Sequence, residues 1–398
     1  MAEITRLIAQ LDRCLQCRKP GCSVACPLHN DCPAIVAAVR SGRFADVCDI
    51  VGHPFGGVCG SICPHELQCG GGCVLGKSGH PIQIGQAEAA AYLAHPYPIV
   101  RKDNRLLGKK IAVVGGGVSG VTFAAKCYES GADVTVYESD NLLHTLYSVP
   151  QFRLPHKLLD DIVAAVERSD ITVTAVTVEY QMLKRLCGDN DYVYLSCGAT
   201  VAYKAGIDGE QYATTADEFL RSDYCGEVIV VGGGNTAMDC AVKNAVCGGN
   251  STIAYRRTMA DMPAFEREVR GAIDNGVRFA TNLAPLSAKP MPDGKLSVTF
   301  AKTISQGRGK LLLTDDKQTL VCDKLVVAAG NAFDSTVFPC EMFCNNTKFV
   351  PTDDRGKVMR NLYAGGDCVG GKLVVDAVKH ALNAFNGIVS NCRDGAQQ

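Results

Sequence analysis

Tryptophan is absent, neither sign of charge is in excess, and no apolar run is long. The chain has 398 residues, with 40 Lys and Arg against 41 Asp and Glu, a formal net charge of −1. A charge so balanced gives no general field for a polyanion, so nucleic acid is not expected as a partner. No run approaches the roughly 18–20 consecutive apolar residues that a membrane-spanning helix needs. The first residues, Met1-Ala2-Glu3-Ile4-Thr5-Arg6, lack the apolar core of a secretion signal. The expectation is a cytoplasmic protein with no membrane span. Its eight His residues form no cluster with metal-ligand spacing.

Glycine and cysteine are abundant instead, with 41 Gly and 21 Cys. The length exceeds what one core organises, which predicts two or three domains. The odd cysteine count and the missing export signal argue against a disulfide framework. Ten of the 21 cysteines lie between Cys14 and Cys73, in a stretch that reads as helical. The other eleven are scattered from Cys127 to Cys392, including Cys340 and Cys344, and read as small buried hydrophobes.

The crowded cysteines have ligand spacing: Cys14-x2-Cys17-x4-Cys22-x3-Cys26-Pro27, then Cys59-x3-Cys63-Pro64, Cys69 and Cys73. A four-cysteine run ending in Cys-Pro is similar to the ferredoxin run, whose last cysteine ligates the other cluster of a pair. Zinc on paired Cys-x-x-Cys knuckles is the alternative. Two [4Fe–4S] clusters take four ligands each. Crossed assignment gives Cys14, Cys17, Cys22 and Cys73 to one, and Cys26, Cys63 and Cys69 to the other. The missing ligand is Cys59, Cys32 or a group other than a thiolate.

From Lys109 onward the pattern changes to apolar strand, glycine turn, helix and strand, and this cassette occurs twice. The first runs through Ile111–Val114 into Gly115-x-Gly117-x-x-Gly120, with a second strand ending at Glu138. The glycines allow a tight turn and close approach of backbone to a pyrophosphate, which the helix N-terminus around Ser119 binds. A carboxylate 18 residues after Gly120 suits a ribose hydroxyl and repels a 2′-phosphate. Ala364-Gly365-Gly366-Asp367 resembles the flavin signature whose Asp bonds the ribityl chain. With Val374 added, this set reads as an FAD site.

The second cassette carries Gly232-x-Gly234-x-x-Ala237, with Asn235 and Thr236 at the helix start. Its second strand ends in Tyr255-Arg256-Arg257, with no acid there. Two guanidiniums at that place suit a 2′-phosphate, which favours NADP(H), with NAD(H) as the alternative. Gly330 is counted with this site.

Taken together, these motifs resemble those of the glutamate synthase small subunit and of the N-terminal half of dihydropyrimidine dehydrogenase. The resemblance rests on the cysteine runs and on Pro81-Ile82-Gln83-Ile84-Gly85 and Pro150-Gln151-Phe152-Arg153-Leu154-Pro155. Gly232–Asp239, Tyr255–Arg257 and Gly365–Asp367 complete it, so that it covers essentially the whole chain. It implies an α/β chain in which a helical double [4Fe–4S] domain (1–105) precedes two Rossmann-like three-layer domains. These are an FAD domain (106–215 with 331–398) and an NAD(P)H domain (216–330). It further implies Glu88 as the last ligand of the second cluster and Arg153 as a flavin contact. One departure stands out: Leu142-Leu143 occupy a position where relatives carry Gly-Gly. If those glycines have positive φ, the leucines cost about 1–2 kcal/mol each.

The implied activity is electron transfer among NADPH, FAD and two clusters, ending on a catalytic partner subunit or a ferredoxin-like acceptor. No side-chain acid, base or nucleophile is needed for the hydride step. No Cys-x-x-Cys lies beside the flavin fingerprint, which argues against a thioredoxin-reductase dithiol. The alternatives are a stand-alone reductase or diaphorase and a subunit of an electron-bifurcating transhydrogenase.

Overall fold

The structure is a computed structural model that describes residues 2–305, 310–334 and 349–395. Cys340, Cys344 and the side chain of Ile4 lie outside them. The chain divides into one unit of residues 1–147, 151–199 and 333–398 and a second of 148–150 and 200–332.

The first unit begins with short helices, and the longer of these are Ala2–Leu11, Cys32–Arg40, Phe44–Val51 and Ile84–Ala94. Cys32–Arg40 starts where Asp31 Oδ1 accepts from Ala34 N at 3.1 Å, with Pro33 in its first turn. Its face of Ile35, Val36, Ala38 and Val39 is buried. Helix Gly56–Ile62 meets Ile84–Ala94 backbone to backbone: a Cβ on Gly60 would lie 2.5 Å from Gly85 O. A side chain there would push apart the two segments that carry Cys63 and Glu88.

The chain then builds a six-stranded sheet around Lys110–Val114. Parallel neighbours on one side are Asp133–Glu138 and Thr172–Ala175, and on the other Tyr192–Leu195 and Leu362–Ala364. Lys357–Met359 adds an antiparallel edge. The centre strand is buried from Ile111 to Val114, as a continuous apolar run in a parallel sheet should be. Helix Val118–Glu129 and the last helix, Val374–Gly395, belong to the same unit.

The second unit holds a five-stranded parallel sheet in the order Ala213–Thr215, Lys324–Val327, Glu227–Val231, Asn250–Tyr255, Arg278–Thr281. The sequence expectation put a boundary between 215 and 216. Ala213–Thr215 instead pairs in register with Leu325–Val327, and the division falls near residue 200. The cysteine-rich stretch likewise does not separate as its own unit. A three-stranded antiparallel sheet, Leu283–Pro290, Leu296–Ser305 and Leu311–Cys322, is an addition that no sequence expectation covered. Among the described residues no helix is long and apolar enough to cross a membrane.

Candidate functional site

The first glycine turn follows its strand directly. Gly115 has φ +98°, and a Cβ on it would sit 2.4 Å from Ser196 O. A Cβ on Gly120 would fall 1.9 Å from Gly115 O, so only glycine lets this helix close on this strand. Gly117 caps helix Val118–Glu129, and a Cβ there would meet nothing within 4 Å. That open space at a helix N-terminus is where a pyrophosphate fits. Glu138 Oε2 accepts from Gly116 N at 2.5 Å, while Oε1 accepts from Asp140 N at 2.9 Å, so the carboxylate stands at the turn. Ser119 is turned inward: its hydroxyl bonds Tyr194 Oη at 2.8 Å and donates to Ala377 O at 3.0 Å. The Ser119 hydroxyl is thus engaged within the protein, which leaves its backbone as the part able to meet a ligand.

Leu142 and Leu143 are both buried against this turn. Leu142 Cδ2 lies 2.5 Å from where a Gly116 Cβ would be, and Leu143 N donates to Gly116 O at 3.0 Å. Leu143 adopts φ +59°, so one of the two leucines does occupy left-handed backbone.

Gly366 has φ +80° and approaches Ser119, bringing the Gly365-Gly366-Asp367 segment to the first turn. Asp367 faces solvent, but the protein crowded around it and the nearby charge of Asp376 push its carboxyl up to about 6. Cys59 and Cys63 pack with Val375, and Leu28, Leu373 and Val374 complete the cluster. The cysteine-rich stretch thus touches the residue, Val374, expected at the flavin. Arg153 is half-buried in the same unit.

Among the thiols, Cys26, Cys63 and Cys69 share one neighbourhood with Glu88. Burial, then the charges of Glu88 and its neighbours, raises Cys26 and pushes Cys69 up to about 12. Glu88 is itself buried on helix Ile84–Ala94, and burial pushes it up to about 8. Its Oε1 has no hydrogen-bond partner. Such an orphaned carboxylate oxygen beside three thiols is explained by a cationic centre between them, so the donor set fits a cluster.

Cys22 and Cys73 lie on abutting segments, since a Cβ on Gly21 would touch Gly72 O at 2.6 Å. A hydrogen bond from Cys32 draws Cys22 down to about 7. Cys14 and Cys17 are half-buried on the loop after the first helix, where Gln16 Nε2 reaches Cys14 Sγ at 3.4 Å. Among the described residues no three His, Cys, Asp or Glu groups gather as the ligands of one metal ion. The contacts of Cys32 and Cys59 with Cys22 and Cys63 were not expected from sequence. For the second pair the four-residue spacing is the one signal that could have shown it.

The second glycine turn repeats the first. A Cβ on Gly232 would lie 2.4 Å from Ala328 O, whereas Gly234 caps helix Asn235–Val246 with nothing within 4 Å of a Cβ. Asn235 Oδ1 accepts from Phe265 N at 2.9 Å, Ala237 is fully buried, and Thr236 stands exposed in the first turn. Tyr255, which the sequence marked as part of the Tyr255-Arg256-Arg257 match but not as a site residue, covers Gly233. Arg256 is exposed at the end of its strand, and Arg257 is half-buried beside it. Gly330, with φ +96°, accepts from Tyr203 N at 2.9 Å.

Comparison with known proteins agrees with this layout. Residues 2–95 match the dihydropyrimidine dehydrogenase domain II 4Fe-4S family, 113–155 an NAD(P)-binding Rossmann-like domain, and 157–384 the pyridine nucleotide-disulphide oxidoreductases. The small chain of NADPH glutamate synthase from Escherichia coli K12 is 27% identical over 96% of this chain and 90% of its own length. The NAD-dependent dihydropyrimidine dehydrogenase subunit PreT from the same organism is 26% identical over 96% and 93%. The solved T. acidophilum thioredoxin reductase superposes with a TM-score of 0.56 at 16% identity, over 71% of this chain and 99% of that one, a likeness of fold. The chain belongs to the pyridine nucleotide-disulphide oxidoreductase family, as an NAD(P)H-dependent oxidoreductase that carries a 4Fe-4S domain ahead of its dinucleotide-binding folds.

Proposed function

We propose that this chain is the electron-input subunit of a larger enzyme, moving electrons between NADPH and a catalytic partner by way of FAD and two [4Fe–4S] clusters. The observation that carries the reading is the packing of Cys59 and Cys63 on Leu373, Val374 and Val375. It sets the second thiol group against the segment that follows Gly366-Asp367. FAD accepts a hydride as an electron pair and releases electrons singly, which the one-electron clusters require.

The chain's own residues hold and insulate these groups. Gly115, Gly117 and Gly120, with the amides at Ser119, cradle a pyrophosphate, while Glu138 takes the ribose of FAD. Asp367, Gly366, Val374 and Arg153 line the rest of that site. Gly232, Gly234, Asn235, Thr236, Ala237 and Gly330 seat the nicotinamide nucleotide, and Arg256 and Arg257 take its 2′-phosphate. Cys14, Cys17, Cys22 and Cys73 ligate one cluster; Cys26, Cys63, Cys69 and Glu88 ligate the other. A carboxylate is a harder donor than a thiolate, so the two clusters differ in potential. The described cysteines are all free, which suits the reducing cytoplasm.

Anaerobic isolation with native partners, followed by iron, sulfide and flavin counts, tests the reading. Near eight irons and one flavin per chain, with a stoichiometric partner, is the expected result at four irons per cluster. A zinc-containing or colourless protein refutes it. A lone chain active with small carriers selects a stand-alone reductase instead.

A further inference from the structure

Exposed leucines and valines are ordinary when they stand singly. In the cysteine-rich stretch four of them stand beside the proposed ligand thiols. Leu15 lies between Cys14 and Cys17, Val24 between Cys22 and Cys26, Leu67 two residues before Cys69, and Val74 directly after Cys73. They are 63%, 75%, 72% and 45% exposed. The same stretch has a core of its own, in which Leu11, Ile35, Val47 and Phe55 are fully buried. These four side chains are left out of that core.

The backbone gathers the segments that carry them. A Cβ on Gly72 would lie 2.5 Å from Gly21 O and 2.7 Å from Ala25 Cβ, and one on Gly71 would run into Glu66 O. Glycines thus let the segments of Val24, Leu67 and Val74 abut. Arg13 Nη2 donates to His80 O at 2.7 Å, which ties the loop of Leu15 to the end of the same stretch. The charge there is one-sided. Residues 13–29 and 64–80 hold Arg13, Arg18, Lys19 and Lys77, all exposed, against the single carboxylate of Glu66, in a chain whose net charge is −1. Among the described residues no carboxylate pairs with any of these four cations.

The two thiol groups also differ in position. Cys63 packs on Val375 beside the flavin segment, whereas Cys14, Cys17 and Cys22 are half-buried among the exposed apolar residues. An electron path that begins at the flavin therefore ends under this surface. We propose that Leu15, Val24, Leu67 and Val74, with Arg13, Arg18, Lys19 and Lys77, form the docking surface for the partner protein, whose matching face is apolar at its centre and acidic at its rim. Apolar side chains desolvated at the centre of an interface supply most of its affinity. Unpaired cations steer an acidic partner in and turn a basic one away. Docking here brings the partner's redox group to the half-buried thiols.

This inference rests on the electron-input reading, and one experiment separates the two. The full chain is purified anaerobically with its partner, and the separated partner is titrated against wild type, Val24→Ser/Leu67→Ser and Lys19→Glu/Lys77→Glu. Leu313→Ser, 54% exposed in the second unit, is the control. In wild type, added salt is expected to weaken binding. The double serine variant should raise Kd by about tenfold or more at every salt concentration. The charge-reversed variant should raise it as far at low salt and lose most of the salt dependence, while Leu313→Ser binds as wild type does. Iron content and bleaching of the flavin by NADPH should stay unchanged throughout. Should the serine variant lose iron, the charge-reversed variant still decides. Wild-type affinity in both double variants would overturn the proposal. So would loss, in those variants, of a homodimer of the free chain or of its binding to phosphatidylglycerol vesicles, which would give the surface to a second copy or to a lipid face. A wild-type chain that isolates with no partner would instead defeat the electron-input reading itself.

Discussion

Leu143 holds left-handed backbone beside the first glycine turn while its side chain is 2% exposed. Strain of about 1–2 kcal/mol there opposes the roughly 2–5 kcal/mol lost when a buried leucine is truncated. Leu143→Gly should therefore lower the melting temperature, and a more stable variant would show that strain dominates. Arg256 carries the coenzyme choice. A lost charge-assisted bond is worth about 1.5–3 kcal/mol, so Arg256→Ala should raise KM for NADPH by about tenfold or more. KM for NADH should hardly move; equal losses with both coenzymes would place Arg256 outside the phosphate site. The family leaves this choice to its members, since one relative is named for NADPH and another for NAD.

His53 gives a pH signature at the same scale. It is fully buried, and burial with the charge of nearby Lys126 holds it down to about 3. The unfolded chain therefore binds this proton more readily than the folded one. The stability is present above pH 6.5, the ordinary histidine value, and is lost as the pH falls toward 3. At pH 5 the loss is on the order of 2 kcal/mol. His53→Gln should flatten the fall in melting temperature between pH 7 and 5; an unaltered slope would assign the acid sensitivity elsewhere.

Among the elements, the two strand–turn–helix cassettes were legible because parallel strands are apolar throughout and their turns demand glycine. The antiparallel sheet of the second unit was not. Its strand Leu311–Cys322 is mostly solvent-exposed and carries Thr314, Asp315, Asp316, Lys317 and Gln318 in its middle, so it lacks a buried-strand pattern. Ala213–Thr215 escaped notice because three residues are too short to show a period. Sequence showed seven of the thiols by spacing, but Glu88 only by resemblance, since burial of one carboxylate on a helix has no local mark.

The glycine turns separate folding from binding. Gly120→Ala puts a Cβ 1.9 Å from a carbonyl and should cost both stability and flavin content. Gly234→Ala meets only open space and has φ −89°, which alanine accepts. It should spare the melting temperature yet weaken NADPH binding; a large drop in stability would show that the pocket is filled by protein.

At the scale of the molecule, the cysteine-rich stretch and the first sheet share one unit, joined in part through Val375 on the last helix. Val375 is 2% exposed and packs on Cys59 and Cys63. Burying an unpaired carboxylate there is severe, so Val375→Asp should reduce iron and flavin contents together. Cys14→Ala should cost iron alone. If Val375→Asp keeps full flavin while losing iron, the two halves are less coupled than their packing indicates.

The first unit is also interrupted: residues 200–332 intervene before segment 333–398 returns with the strand Leu362–Ala364 and the helix bearing Val375. Domains form as they emerge from the ribosome. The nucleotide unit can thus settle while its predecessor still waits for a strand. Until that late segment is translated, the thiols at 59 and 63 lack the cover of Leu373, Val374 and Val375 and keep only that of Leu28, which leaves them more open to oxidation in the nascent chain.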